Sequence, residues 1–307
     1  MASKTNHLEK LKQFKNVDLV QINYEDESSL EAAFQDVRCT ILITENNKHR
    51  VEYSKKVLCA MKKMNVKTCM MISVEGAEKS NSEALRCFHE IEKEVQNACS
   101  ECYLILRKSL LSQSLLLLSS WVREHSELIL SCAADCKMTT LDLCDLDCAI
   151  DTIVIESCCE GESGDSKNFI MGFGRHQNKT YTLTGPQIIT PKYITEEISK
   201  VTDSEIKFKE VSREKLRECL ESILNHDLAV SASHVATAGD HHEGDHEHPH
   251  FELNDTIIEL LLDELDLVKH GRTGFVSDDF EKVTGRQGKP VSEFLRKEKD
   301  AFKPDRV

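Results

Sequence analysis

Between residues 17 and 72 the chain alternates short β-rich apolar runs with longer stretches of helical period, the signature of a parallel sheet crossed by helices. Residues 17–22, VDLVQI, read as the first strand, and Ser28 with Glu31 three positions on forms a capping box for a helix ending near Asp36. Residues 39–43 form the next strand. Over 47–64 a helix places Tyr53, Val57, Ala60, Met61 and Met64 on one face, and residues 68–72 return as a third strand ending at Ser73. A helix over 82–98, a strand over 103–106 and a helix from near Leu110 follow. In TTLDLCDLDCAIDTIVIE, Asp145 is placed to cap a helix carrying Leu146, Ala149, Ile150 and Ile153. Residues 157–178 read as a loop before KTYTLTGP, residues 179–186, a strand ending in a Gly-Pro turn. Pro191 at a helix start, a strand over 206–211 and a helix over 212–226 suggest a smaller α-rich lobe. A loop over 231–253 then precedes a helix over 255–267. The pattern divides the chain into an α/β core over 1–180 and a C-terminal lobe over 181–307.

Charge removes two classes of partner. At 307 residues and net charge −14 the surface repels nucleic-acid phosphates and anionic lipid alike, so neither nucleic acid nor membrane is expected. The longest apolar run, residues 104–121, is broken by Arg107, Lys108 and several serines and falls short of a membrane span. The first residues, MASKTNHLEKLKQF, lack a signal-peptide core and an Arg-rich transit pattern, so the expected location is cytoplasmic.

Thirteen cysteines, twelve of them at or before Cys159, then read as reduced thiols packed as small apolar residues. Cys99 and Cys102 form a CxxC, while Cys132/Cys136 and Cys144/Cys148 are spaced by four, which raises zinc or redox switching. The pairs lack the flanking turns of a structural zinc site, so no metal is expected. Six histidines fall between His234 and His250, where HEGDH matches the HExxH string of zinc proteases. That string works only on a helix, and Gly239, Gly244 and Pro249 argue for an acidic linker, with weak metal binding by the loop as the alternative.

KTYTLTGP resembles a fixed motif of the NmrA-like group of atypical short-chain dehydrogenase/reductases. The resemblance extends to VDLVQINYEDESSLEAAFQDV, to TTLDLCDLDCAI and to VSDDFEKVTGRQGKPVSEFL, in the family's order. It implies a Rossmann-like parallel sheet, an NADP or NAD cofactor and oxidoreductase chemistry without a required metal. The family's first βαβ unit supplies a Gly-rich turn for the pyrophosphate and needs roughly 30 residues. Only sixteen residues precede Val17 here, and none is glycine. The expected fold is therefore a Rossmann-like sheet lacking that unit, in which the strands at 17–22 and 39–43 pair directly or leave an exposed edge. Gly172-Phe173-Gly174 does not open a helical pattern and is no substitute.

The reaction centre departs as well. Where the wider superfamily has a Tyr and a Lys four residues on, this chain has His89 and Lys93, with Ser73 resembling the serine that ends the preceding strand. One helical turn puts His89 and Lys93 on one face, and a His can pass a proton near neutral pH, whereas the mixed charges of HEIEKE also read as a solvated face. LRKSLLSQS stands where the resemblance would have LRPG and an Asn-bearing helix start, so Lys108 and Ser109 replace a turn of the substrate wall. Remaining cofactor contacts would come from the strand ends at Asn23, Thr44 and Ser73. Three readings follow: a reduced member with weakened cofactor binding, acting as a redox or nucleotide sensor or through protein contacts; a working NAD(P)H-dependent quinone-type reductase; or a truncated gene model of one. An unpaired edge strand favours a homodimer or a bound protein partner.

Overall fold

The computed structural model describes residues 11–99, 101–159, 172–235 and 253–305. In chain order its elements are α1 (Glu27–Ala33), β1 (Thr40–Leu42), α2 (Arg50–Lys63), β2 (Thr68–Val74), α3 (Glu83–Ala98), β3 (Cys102–Lys108), β4 (Leu110–Leu111), α4 (Ser119–His125) and β5 (Glu127–Leu130). There follow β6 (Thr140–Leu141), α5 (Leu143–Cys159), β7 (Lys179–Leu183), α6 (Pro191–Thr202), β8 (Lys207–Glu210), α7 (Arg213–Val235), α8 (Asp255–Lys269), α9 (Asp279–Thr284) and α10 (Val291–Lys297).

The central sheet is parallel, in the order β1-β2-β3-β7. TCMMISV and CYLILRK are nearly continuous apolar runs because helices cover both faces of β2 and β3. On one face α1, α2 and α3 bury Leu30, Phe34, Val57, Met61, Leu85, Ile91 and Val95. On the other, α5 and α9 bury Leu146, Ile153, Phe280 and Val283 against Leu104 and Leu106. Two short parallel pairs, β4 with β6 and β5 with β8, extend the chain into a third core, where Leu128, Ile198, Leu220, Leu262 and Phe294 pack. This is a Rossmann-like α/β fold.

Several local expectations change. Residues 17–22 are not a strand; they carry one bridge residue, Gln21, and leave Val17 and Val20 exposed. A strand exists only through its partner, and among the described residues none flanks this segment in a ladder. The 17–22 and 39–43 segments therefore do not pair, and among the described residues β1 has β2 as its one ladder neighbour, with Ile41 42% and Ile43 73% exposed. Asp26, not Ser28, caps α1, accepting from Ser28 N at 3.0 Å. Near Leu110 the backbone pairs with β6 and then tightens into a 3-10 turn, Ser112–Leu118, before α4 begins. Asp142 rather than Asp145 caps α5, accepting from Cys144 N at 2.8 Å, while the fully buried Asp145 binds Arg286 Nη2 at 2.8 Å. α7 runs to Val235, so residues 231–235 of the expected loop are helical; HEGDH, residues 242–246, lies outside the described residues.

The KTYTLTGP motif is a structural junction. Tyr181 places its hydroxyl 3.0 Å from Nδ1 of the buried His176, whose Nε2 is 3.0 Å from Glu156. Thr184 Oγ1 accepts from Ser277 N at 3.0 Å, and Asp279 accepts from Thr182 N at 2.9 Å. At Gly185 a Cβ would lie 2.0 Å from the Thr140 carbonyl oxygen, so only glycine permits that approach. The 181–307 segment is thus not a separate lobe throughout, since α9 returns to close one face of the sheet.

Candidate functional site

The chemistry-bearing residues gather at the C-terminal ends of β2 and β3, where open α/β sheets hold ligands. Register sets Ser73 of β2 beside Arg107 of β3. Across them lies α3, begun by Ser82, whose hydroxyl accepts from Leu85 N at 3.4 Å. Its buried stripe is Leu85, Phe88, Ile91, Glu92 and Val95. A carboxylate therefore enters the core, 2% exposed.

Everything converges on that carboxylate. Ser73 Oγ donates to Glu92 Oε1 at 2.6 Å, Arg107 Nε to the same oxygen at 2.8 Å, and Arg107 Nη2 to Oε2 at 2.7 Å. His89 Nδ1 lies 3.3 Å from Oε2, and Arg107 Nη1 is 2.9 Å from Glu78. Burial pushes the Glu92 carboxyl up, but the Arg107 fork and the Ser73 hydroxyl outweigh it and leave its pKa lowered. Arg107 is raised chiefly by the same bonds. A carboxylate held ionised by a bidentate arginine is a weak base, and a serine that is 1% exposed with its proton committed to that carboxylate cannot donate to a substrate.

The structure thus brings Ser73 and His89 together only through Glu92, and Lys93 lies exposed off the buried stripe. Glu92 is the residue missed from the sequence. Its signal was present, because 85, 88, 92 and 95 fall on one helical face. Of the other strand-end residues, Asn23 is committed to the turn before α1, its N donating to Ser29 Oγ and its Oδ1 accepting from Glu25 N, both at 3.0 Å. Thr44 is buried just after β1.

A second polar cluster sits one residue beyond β2. Glu75 is 6% exposed, and its Oε1 has no hydrogen-bond partner. Burial, reinforced by Glu264, pushes its pKa up to about 7. Lys108 Nζ, close by, is taken by Glu264 at 2.7 Å.

A dinucleotide needs backbone amides laid bare at a βα turn. The β1–α2 turn holds no glycine and spends its polar groups locally: His49 N donates to Asn47 Oδ1 at 2.8 Å and Arg50 N to Asn47 O at 3.1 Å. The β2–α3 turn has Gly76 at φ +79°, but a Cβ there would meet Leu267 Cδ1 at 2.5 Å, so α8 covers this backbone with its own leucine. Gly172-Phe173-Gly174 lies at the opposite end of the sheet, near Cys102 at the start of β3. Among the described residues neither turn fits a pyrophosphate. The CxxC is also divided: Cys99 packs on the α2–α3 face of the sheet and Cys102 on the α5 face. No group of metal-ligating side chains occurs among the described residues, and none of their helices is long and apolar enough to cross a membrane.

The NAD(P)H-binding family matches residues 1–113. Among solved structures the chain is similar to an NADPH-dependent quinone oxidoreductase of Escherichia coli complexed with NADPH, at 20% identity and TM-score 0.71, over 95% of this chain and 87% of that one. It is similar to the triphenylmethane reductase of Citrobacter sp. complexed with NADP(H), at 18% identity and TM-score 0.69, over 96% of this chain and 88% of that one. NmrA, a negative transcriptional regulator in complex with NAD, aligns at 11% identity and TM-score 0.62, over 96% of this chain and 84% of that one. The chain shares the Rossmann-like α/β fold of these proteins. No curated protein matches it by sequence. Between the strand carrying Ser73 and the helix carrying His89 and Glu92, the polar groups bond to one another.

Proposed function

We propose that this NmrA-like chain has weakened dinucleotide binding and no reductase chemistry, and that it acts as a redox- or nucleotide-sensing or protein-interaction protein. The Ser73–Glu92–Arg107 clamp carries the reading, because it commits the groups nearest the reaction position to one another. The covered backbone at Gly76 supports it. A regulatory role also has a counterpart among the similar folds, NmrA being named a negative transcriptional regulator.

A second reading, a working NAD(P)H-dependent quinone-type reductase, is favoured by the family match over residues 1–113 and by the quinone oxidoreductase fold. Calorimetric titration of the full chain with NADPH and with NADH separates the two. We expect affinities no tighter than about 1 mM for either nucleotide, the weak end of ordinary enzyme affinities, and no quinone turnover. Micromolar binding accompanied by quinone turnover would establish the reductase instead.

Among the described residues β1 has no second ladder neighbour, and its exposed Ile41 and Ile43 support a homodimer or protein partner joined by strand addition. Light scattering behind size exclusion is expected to show a dimer or a bound partner, and a clean monomer at all concentrations counts against this mode.

A further inference from the structure

The N-termini of α2, α3 and α8 converge on a cleft of about 380 Å³, within the range of small-molecule sites. Asn47, Lys48, Arg50, Ser82, Cys87 and Asp255 contribute to its lining. Two of the three helix starts are already satisfied. Ser82 caps α3 with Glu83 in its first turn, and Asn254 caps α8 through Ile257 N at 3.0 Å with Asp255 following. The third has no side-chain cap: the His49 side chain, at the N-cap of α2, makes no bond to the helix backbone and instead lies 3.5 Å from the Glu52 carboxylate in the first turn, which also binds Lys56 at 2.8 Å.

Arg50, the first residue of α2, forms part of the cleft floor and is 2% exposed. Its Nε donates to Glu45 O at 3.2 Å and its Nη2 reaches Asn46 Oδ1 at 3.5 Å. Its Nη1 is buried with no partner. The Phe88 ring lies 4.5 Å away, and no carboxylate of the described residues pairs with the guanidinium. Burial accordingly lowers its pKa. The acidic residues of the same cleft are otherwise engaged or lie in solvent. Glu259 and Asp263 bind Arg213 at 3.0 and 2.7 Å, and Glu83 and Asp255 are exposed. A buried cation without a counter-ion is costly, and an anion entering the cleft would supply the partner that the fold does not.

We propose that this cleft binds a phosphomonoester, its phosphate seated on Arg50 with Lys48 at the rim. The cleft exceeds what a phosphate group alone fills, and Ser82, Glu83 and Asp255 offer acceptors for the hydroxyl groups of an attached sugar. The site needs no dinucleotide, so the proposal stands apart from the functional reading above.

The test is calorimetric titration of the full chain, at low ionic strength, with inorganic phosphate and with AMP, using the native sequence, Arg50→Lys and Lys48→Ala. The native chain is expected to bind at least one of them with millimolar or tighter affinity. Arg50→Lys, which keeps the charge and loses the planar fork, is expected to weaken binding about tenfold. Lys48→Ala changes an exposed side chain and is expected to weaken it about threefold, more at low salt than at high. It also keeps the proposal testable should the Arg50 variant fold poorly. AMP binding tighter than phosphate assigns the cleft to a phosphorylated organic ligand, and equal affinities assign it to free phosphate. Absence of heat with either up to about 20 mM, or affinity unchanged in both variants, overturns it.

Discussion

Glu92→Ala is expected to destabilise the fold by about 3–5 kcal/mol, the cost of stripping the partner from a buried charge. The carboxylate is 2% exposed and accepts two bonds from Arg107 and one from Ser73. Without it Arg107 keeps only the part-exposed Glu78, and Ser73 Oγ loses its acceptor in the core. Glu92→Gln should cost less, because an amide oxygen still accepts from Ser73 while the ion pair is lost. Replacing Glu92 and Arg107 together by leucine should recover part of the loss, since paired apolar residues leave no orphaned charge. Urea denaturation of the four proteins reads the result. If Glu92→Ala costs no more than an exposed ion pair, about 0–1 kcal/mol, the clamp is not the anchor drawn here.

Glu75→Gln is expected to stabilise the protein by about 2–3 kcal/mol near pH 8 and to change little below pH 5. Burial pushes the Glu75 carboxyl from its ordinary 4.5 up to about 7. Between those values the folded chain holds a proton that the unfolded chain has released. Stability therefore falls as pH rises through that window, levels off above it, and is unaffected below the unfolded pKa. Glutamine keeps the shape and cannot ionise. The groups facing Glu75, namely Glu264, Lys79, Glu78 and Lys108, are left intact. Denaturation midpoints at the two ends of the window should differ for the native chain and converge in the variant. A native profile that does not slope there removes Glu75 as the titrating group.

Both residues show where sequence reading stopped. Periodicity located β2, β3, β7, α2, α3, α6 and α8, because each buries a continuous run or a single stripe that its spacing declares. The reaction-centre residues were placed on the correct strand and helix, but His89 and Lys93 were weighed where Glu92, between them, makes the contacts. HEIEKE looks solvated because its charges alternate, and only packing against Arg107 turns one of them inward. Arg107 itself sits in an apolar run, and its pairing with Ser73 is a matter of register between strands. Residues 17–22 mislead for the converse reason, having strand-like composition without a ladder neighbour among the described residues.

From the order of residues alone came the parallel α/β class with its crossover helices and the Gly-Pro turn after β7, since these depend on local period and local turn chemistry. Tertiary structure decided which charges are buried, that Leu267 fills the space over Gly76, that CxxC is split across the sheet and that Arg50 lies unpaired beneath a cleft. Those outcomes are set by distances between residues far apart in the chain, and an interaction energy depends on separation in space, on which spacing along the chain carries no information.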